Sequence, residues 1–430
     1  MKKFYAVLVN TLIANVTTSY LWFALTFWLY LETQSVMATA ILGGIYMLLV
    51  AFCGLLFGTL VDKNRKKTIM VWSSLVSAVA YTTAGIMHLV FGEGMLSTIS
   101  SPFLWIFAAI ILVGAVVENM RNIALSTTVT ILVPKGKRDK ANGLIGSVSG
   151  VAFLVTSVLS GLSIGYLGLG WTLVVAIVLT TIALVHIMTV QIPEKKIAHD
   201  PGLAEKHIDL KGAVRAISDV PGLWALLLFA VFNNLIGGVF MALMDPYGLT
   251  LFSVQMWGIM LAITSIGFIA GGLLVAKMGL GKRPLRTLLI VNMATSLVGL
   301  LFTLREWAWL YVVGIFGYMC LMPIAQAAEQ VVLQRIVPLA RQGRVFGFKQ
   351  SLEAAAAPIT AFAIGPLAQY VIIPYMRGQG ENDWAWLLGY GQMRGIAFIF
   401  VIASIILIAV STLALRSKAY RTISRQYETS

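Results

Sequence analysis

Long apolar stretches separated by short polar turns set the rhythm of this chain. The runs recur from one end to the other and are about 20 residues or more each, long enough as helices to cross a hydrocarbon core roughly 30 Å thick. The pattern predicts six spans at about 4–31, 37–61, 69–91, 102–134, 143–167 and 171–192. Six more are predicted at about 223–242, 256–274, 285–303, 307–337, 346–373 and 396–415. Between the two sets, 193–219 mixes charges of both signs and holds His199 and His207. Within it, 208–217 alternates at helical spacing, which predicts a short amphipathic helix lying on the membrane surface. Span 7 is expected to end at Asp245-Pro246, and 92–101 and 376–393 to be external loops. The fold class expected is an all-α membrane protein: twelve transmembrane helices in two six-helix halves, 1–192 and 223–415. A linker at 193–222 joins them, and a basic tail at 416–430 follows.

Two pairs of echoes say that the halves are a duplication. Gly58-Thr-Leu-Val-Asp62-Lys63 is matched by Gly272-Leu-Leu-Val-Ala276-Lys277, an offset of 272 − 58 = 214, with Ala where the Asp stood. Val133-Pro134, leading to Lys140 and Gly143, is matched by Val337-Pro338, leading to Arg344 and Gly347, an offset of 337 − 133 = 204. The offsets differ by ten, about the length of the polar insert 92–101 that lies between them. Two matches, with their discrepancy located in one loop, indicate a repeated half.

Composition agrees with the pattern: 59% of residues are hydrophobic and 11% charged, against about a quarter charged in soluble domains. The net charge of +14 would suit a nucleic-acid partner, but its distribution argues otherwise. Of the 31 Lys and Arg, Arg305, Arg377 and Arg394 fall on one side of the twelve-span arrangement and Arg121 inside a span; the remaining 27 share the other side. That bias is the positive-inside rule, with both termini cytoplasmic, and anionic membrane lipid is a sufficient partner for it. Lys2 and Lys3 precede a first segment too long for a signal core, so it is expected to be a retained helix. Cys53 and Cys320 sit in apolar runs and suggest neither a disulfide nor a metal site. There is no glycine-rich Lys-Ser/Thr phosphate loop, and His88, His186, His199 and His207 show no metal-ligand or nucleophile spacing. No cofactor, no metal, no nucleic acid and no enzymatic activity are expected.

Ionisable groups inside a bilayer are costly, so each needs a reason. Glu118 lies 16 residues from each of Pro102 and Pro134, near the middle of span 4, and Arg121 follows on the same helix face. The pair either locks span 4 to a neighbour or makes Glu118 a proton or cation site. Glu329 in span 10 has no obvious local partner and is a second candidate for proton coupling. Lys349 and Glu353, spaced i, i+4 near the inner end of span 11, read as local helix support or a cytoplasmic gate. Asn10, Asn15 and Tyr20 in span 1, Tyr46 in span 2, Asn233 and Asn234 in span 7 and Gln326 in span 10 are candidate cavity lining. Aromatics at such positions can equally face lipid or the interfacial belt.

The organisation resembles the major facilitator superfamily. Its loop signature, Gly-x-Leu-Ala-Asp-Arg-x-Gly-Arg-Lys, is met by Gly58, Leu60, Asp62, Lys63, Lys66 and Lys67, while Arg65 replaces the second glycine. Ile131-Leu-Val-Pro134, then Lys140-Ala-Asn-Gly143 and a small-residue span, is similar to the macrolide-efflux-type drug:proton antiporters. The resemblance implies that Asp62 clamps the two halves at the cytoplasmic side, against the cationic ends of neighbouring helices and the positive N-terminus of span 11. Gly58, Lys63, Arg65, Lys66 and Lys67 form the rest of that clamp. Ala276 implies that the second half has lost its carboxylate and that the clamp is asymmetric. The expected activity is proton-driven export of small amphipathic drugs or natural products by a monomer working through alternating access. A flippase for lipids of the same fold, or a non-transporting membrane sensor, is the alternative.

Overall fold

The computed structural model describes residues 2–33, 36–96, 98, 100–194, 210–391 and 393–429. The linker stretch 195–209, with His199 and His207, lies outside the described residues, as do two positions of the 92–101 insert. The helices, in order, are α1 (Lys2–Thr33), α2 (Val36–Lys63), α3 (Lys66–Leu96), α4 (Pro102–Leu132) and α5 (Arg138–Thr189). After the linker come α6 (Leu210–Ser218), α7 (Leu223–Leu251), α8 (Val254–Met278), α9 (Pro284–Leu301) and α10 (Ala308–Ile336). The rest are α11 (Gln342–Leu367), α12 (Ile373–Arg377), α13 (Gln379–Leu388), α14 (Arg394–Arg416) and α15 (Lys418–Thr429).

Eleven stretches among the described residues are long and apolar enough to cross a membrane. One of them contains two spans. At about 1.5 Å per residue the 52 residues of α5 would run roughly 78 Å, but Gly168 breaks it with φ 74° and ψ 176°. Ser163 Oγ and Thr172 Oγ1 lie 2.7 Å apart although nine residues separate them, where a straight helix would hold them roughly 13 Å apart along its axis. The chain therefore turns back at a glycine, the residue that adopts positive φ without a Cβ penalty. Twelve spans result, as the hydrophobic pattern predicts.

The duplication is visible in the local structure. After α4, Val133-Pro134 leads through a 3₁₀ turn, Lys135–Lys137, into α5 at Arg138. After α10, Val337-Pro338 leads through Leu339–Arg341 into α11 at Gln342. Every boundary is displaced by 204, and the first side chain of the new helix does the same work in both copies. Arg138 Nε donates to Val133 O at 3.4 Å, and Gln342 Nε2 donates to Val337 O at 3.0 Å. Each satisfies a carbonyl left open at the preceding helix end.

Two compact units emerge from the packing. The first comprises Met1–Arg138, Val151–Ile217 and Val337–Ser351; the second comprises Asp139–Gly150, Ser218–Ile336 and Leu352–Ser430. Each thus takes in the start of a helix whose remainder belongs to the other. The core of the first unit gathers Leu21, Leu25, Tyr81, Phe107 and Leu173 from α1, α3, α4 and the far arm of α5. In the second, α10 packs on α8 and α9, and α14 on α9 and α7. Its core is aromatic: Phe240, Tyr247, Trp257, Phe302, Tyr311 and Phe400.

Two expectations need correction, and the tail gains an element. Span 7 does not end at Asp245-Pro246: α7 carries Pro246 within it and continues to Leu251. That turn is held from outside, since Tyr311 donates to Met244 O at 2.7 Å and Trp257 donates to Asp245 at 3.0 Å; neighbouring helices commonly support proline inside membrane helices in this way. The 376–393 stretch is not a plain loop but holds α13, with Glu381 in its first turn, where an acid suits the helix dipole. The tail is a helix as well. Ala419, Ile423 and Tyr427 recur at i, i+4, i+8, and Ile423 is buried against Gly222. The Arg335 guanidinium lies 4.3 Å over the Tyr427 ring, while Lys418, Arg421 and Arg425 stay exposed on the opposite face.

Candidate functional site

The middle of α4 carries the most unusual chemistry of the first unit. Arg121 is fully buried and donates from Nη1 to Ser74 Oγ of α3 at 2.8 Å. Its Nε lies 3.8 Å from Glu118 Oε1, one turn earlier on the same face. Among the described residues, Glu118 Oε2 and Arg121 Nη2 are buried with no hydrogen-bond partner. A buried charged atom left open is expensive, and Ser73 of α3 is a further hydrogen-bond partner of the Glu118 carboxylate.

Asn119 turns the same stretch of α4 toward other helices. Its amide nitrogen lies 3.4 Å from Tyr46 Oη of α2, and its Oδ1 accepts from Gln350 Nε2 of α11 at 2.7 Å. The Tyr46 ring in turn packs on Trp22 of α1, with centroids 4.7 Å apart. One polar link therefore ties α2, α4 and α11 together, with an aromatic pair at its end. Asn119 and Gln350 escaped the sequence reading, which chose amides in spans 1, 7 and 10 but only charges in spans 4 and 11; each stands directly beside a chosen charge, Glu118 and Lys349.

Other candidates sit differently. Asn10 is completely buried and donates to Ala183 O at 2.7 Å, and Tyr20 is buried with its hydroxyl 2.5 Å from Ser163 Oγ. Both join α1 to α5. Asn15 is half-buried on α1, Asn233 half-buried on α7, and Gln326 exposed on α10. Asn234 donates to Glu353 Oε1 at 3.2 Å, joining α7 to α11 inside the second unit. A residue expected to line the cavity and one expected to gate it are thus direct partners. Lys349, half-buried, belongs to the first unit and Glu353 to the second. Glu329 is 9% exposed on α10, also in the second unit, so Glu118 and Glu329 belong to separate units.

At the basic end, α2 and α3 are joined through Asn64 and Arg65 alone, so the turn is tight although Arg65 stands where glycine was expected. Asp62, 2% exposed, reaches the start of α11: its Oδ1 accepts from Gly343 N at 2.6 Å and its Oδ2 from Arg344 N at 3.0 Å. The Arg344 guanidinium adds a charge at 3.7 Å. A carboxylate on two open N–H groups at a helix N-terminus meets both the unsatisfied donors and the positive end of the dipole. Glycines allow the approach, since a Cβ on Gly347 would lie 2.8 Å from Gly58 Cα. Lys66 is buried and pairs with Glu194 at 3.2 Å, and Lys67 donates to Met188 O at 2.7 Å. These two fasten the turn to the end of α5, whereas Arg65 is exposed and Lys63 half-buried. Glu194 is a further partner the sequence reading did not name.

The family model of the Major Facilitator Superfamily matches residues 7–361. The chain belongs to this superfamily. It is therefore a membrane transporter, a multi-pass protein of the inner (plasma) membrane. Among curated proteins, Macrolide efflux protein A of Streptococcus pyogenes is 22% identical over 408 residues, covering 90% of this chain and 92% of that protein. Among solved structures, the proton:xylose symporter XylE superposes with a TM-score of 0.68 at 12% identity, covering 96% of each chain. A bacterial homologue of the iron transporter ferroportin, in an outward-facing state, gives 0.67 at 14% identity, over 96% of this chain and 100% of that one. At such identities the structural likenesses carry the fold; the cargo has to be argued from the residues.

Proposed function

We propose that this superfamily member exports small amphipathic drugs or natural products in exchange for protons, by alternating access about a site near the membrane midplane, with both termini in the cytoplasm. The observation that carries the reading is Glu118: a buried carboxylate near the centre of α4, beside Arg121 and with one oxygen open. Intramembrane carboxylates of this kind serve as proton relays in transporters. Trp22 and Tyr46, both half-buried, offer an aromatic surface with the Asn119 and Gln350 amides behind it; apolar walls with a few placed polar groups suit bulky amphipathic ligands. Glu329 on α10 is the second candidate carboxylate, and the likeness to Macrolide efflux protein A points to the same cargo class.

The experiment is efflux of a macrolide or a cationic dye from proteoliposomes under an imposed pH gradient, comparing the wild type with Glu118→Gln. The expected result is gradient-driven efflux in the wild type and its loss in the variant, with substrate binding retained. Unchanged efflux in Glu118→Gln would move coupling to Glu329. Absence of any drug flux in the wild type, with turnover of a labelled phospholipid instead, would replace the reading by lipid flipping.

A further inference from the structure

The echo between the halves has a structural counterpart at a second helix crossing. Shifting Gly343 and Gly347 back by 204 gives Asp139 and Gly143; shifting Gly58 and Asp62 forward by 214 gives Gly272 and Ala276. Gly143 meets Gly272 and Ala276 in the second unit as Gly347 meets Gly58 in the first, and Asp139 lies against Gly279 just beyond. A Cβ on Gly272 would lie 2.6 Å from Gly143 O, and one on Gly143 would lie 2.7 Å from Gly272 O. α5 and α8 therefore cross glycine on glycine, as α11 and α2 do.

The second crossing has no carboxylate at position 276, but it has one at 139, on the opposite helix. Asp139, in the first turn of α5, accepts from Lys140 N through Oδ1 at 2.8 Å. Its Oδ2 accepts from Leu280 N, in the turn after α8, at 3.3 Å. Gly279 at φ +75° lets that turn come close, and a Cβ there would strike Asp139 Oδ2. We propose that Asp139 is the second clamp of the transport cycle, a positioning residue whose carboxylate has moved from the end of α8 to the start of α5. The asymmetry implied by Ala276 is one of placement and strength, not of absence. Asp139 makes one backbone bond across its crossing at 3.3 Å, whereas Asp62 makes two at 2.6 and 3.0 Å. The α5–α8 crossing is then the weaker of the two and the first to open.

This inference rests on alternating access but not on the identity of the cargo or on proton coupling, so its test uses neither. Ser147, buried on α5 with its hydroxyl 3.3 Å from Ile269 O of α8, is replaced by Cys in a Cys53→Ser, Cys320→Ser background. Labelling by a water-soluble maleimide then reports opening of this crossing; Ser351→Cys, at the α2–α11 crossing beside Gly54, reports the other. Asp139→Asn should speed labelling at 147 several-fold. The double change Asp139→Gly, Ala276→Asp copies the Asp–Gly arrangement of the first crossing and should return labelling to the parental rate. Asp139→Gly alone should not. A rate at 147 indifferent to Asp139→Asn, in protein where Asp62→Asn does accelerate labelling at 351, would overturn the assignment. Failure of the relocated carboxylate to restore the slow rate would do the same. Labelling at neither position in any variant would remove alternating access itself, and the role of Asp139 with it.

Discussion

Asp62→Asn should leave the protein folded and all but stop its cycle. The wild-type carboxylate takes two backbone N–H groups at the start of α11 and faces the Arg344 guanidinium. The amide that replaces it is neutral, and one of its two ends carries N–H groups that meet other donors. Hydrogen bonds to a charged group contribute about 1.5–3 kcal/mol each, so a loss of about 2 kcal/mol is a conservative expectation. That shifts the balance between closed and open crossings about thirtyfold. Maleimide labelling of Ser351→Cys should rise accordingly, and substrate turnover should fall while binding persists. Neighbouring packing is spared, because the glycine contacts of Gly58 with Gly343 and Gly347 do not involve the carboxylate. A labelling rate and turnover within about twofold of wild type would show that Asp62 is an ordinary helix cap.

Arg394→Met should do the reverse, damaging the fold and leaving the clamps alone. Arg394 is 1% exposed and makes several side-chain hydrogen bonds. Its guanidinium donates to Glu306 Oε1 at 2.9 Å and to Tyr247 Oη at 3.0 Å. It also donates to Leu388 O at 2.6 Å, and to Thr303 O and Leu304 O at 3.3 Å each. One residue thereby holds the end of α9, α7, the end of α13 and its own helix start. Truncating it leaves Glu306 and several carbonyls without their donor, and breaking such an arrangement costs about 3 kcal/mol or more. Melting followed by loss of the monodisperse detergent-solubilised protein should shift down by roughly 5–10 °C. A variant that melts within about 2 °C of wild type would mean that water replaces these bonds without cost.

Legibility from sequence followed the physics that sets each feature. The spans were readable because hydrocarbon thickness imposes a length and forces helices on the backbone. The duplicated turns were readable because glycine spacing and Val-Pro are local signals, and each reappears with its own structural echo. The end of α7 was misjudged because Pro246 normally stops a helix, and the side chains that support it, Tyr311 and Trp257, lie far away in the chain. α15 was missed because a basic tail after a last span looks unstructured until Gly222 and Arg335 are placed against it. Glu118 and Arg121 stood out as charges in an apolar run; Asn119 and Gln350 did not, because each is overshadowed by the charge beside it and their shared bond joins positions 231 residues apart. Asn10 and Tyr20 stood out as polar groups in an apolar run, but their partners, Ala183 and Ser163, lie far away in the chain and were not readable from it.

The central claim is that substrate and proton compete through Glu118. Its most direct measurement is proton release on substrate addition: detergent-solubilised protein in weakly buffered solution with a pH indicator, titrated with macrolide. The account predicts release of protons that saturates with binding in the wild type and is absent in Glu118→Gln, which still binds. Binding without proton release in the wild type at any pH between about 5 and 8 would contradict it.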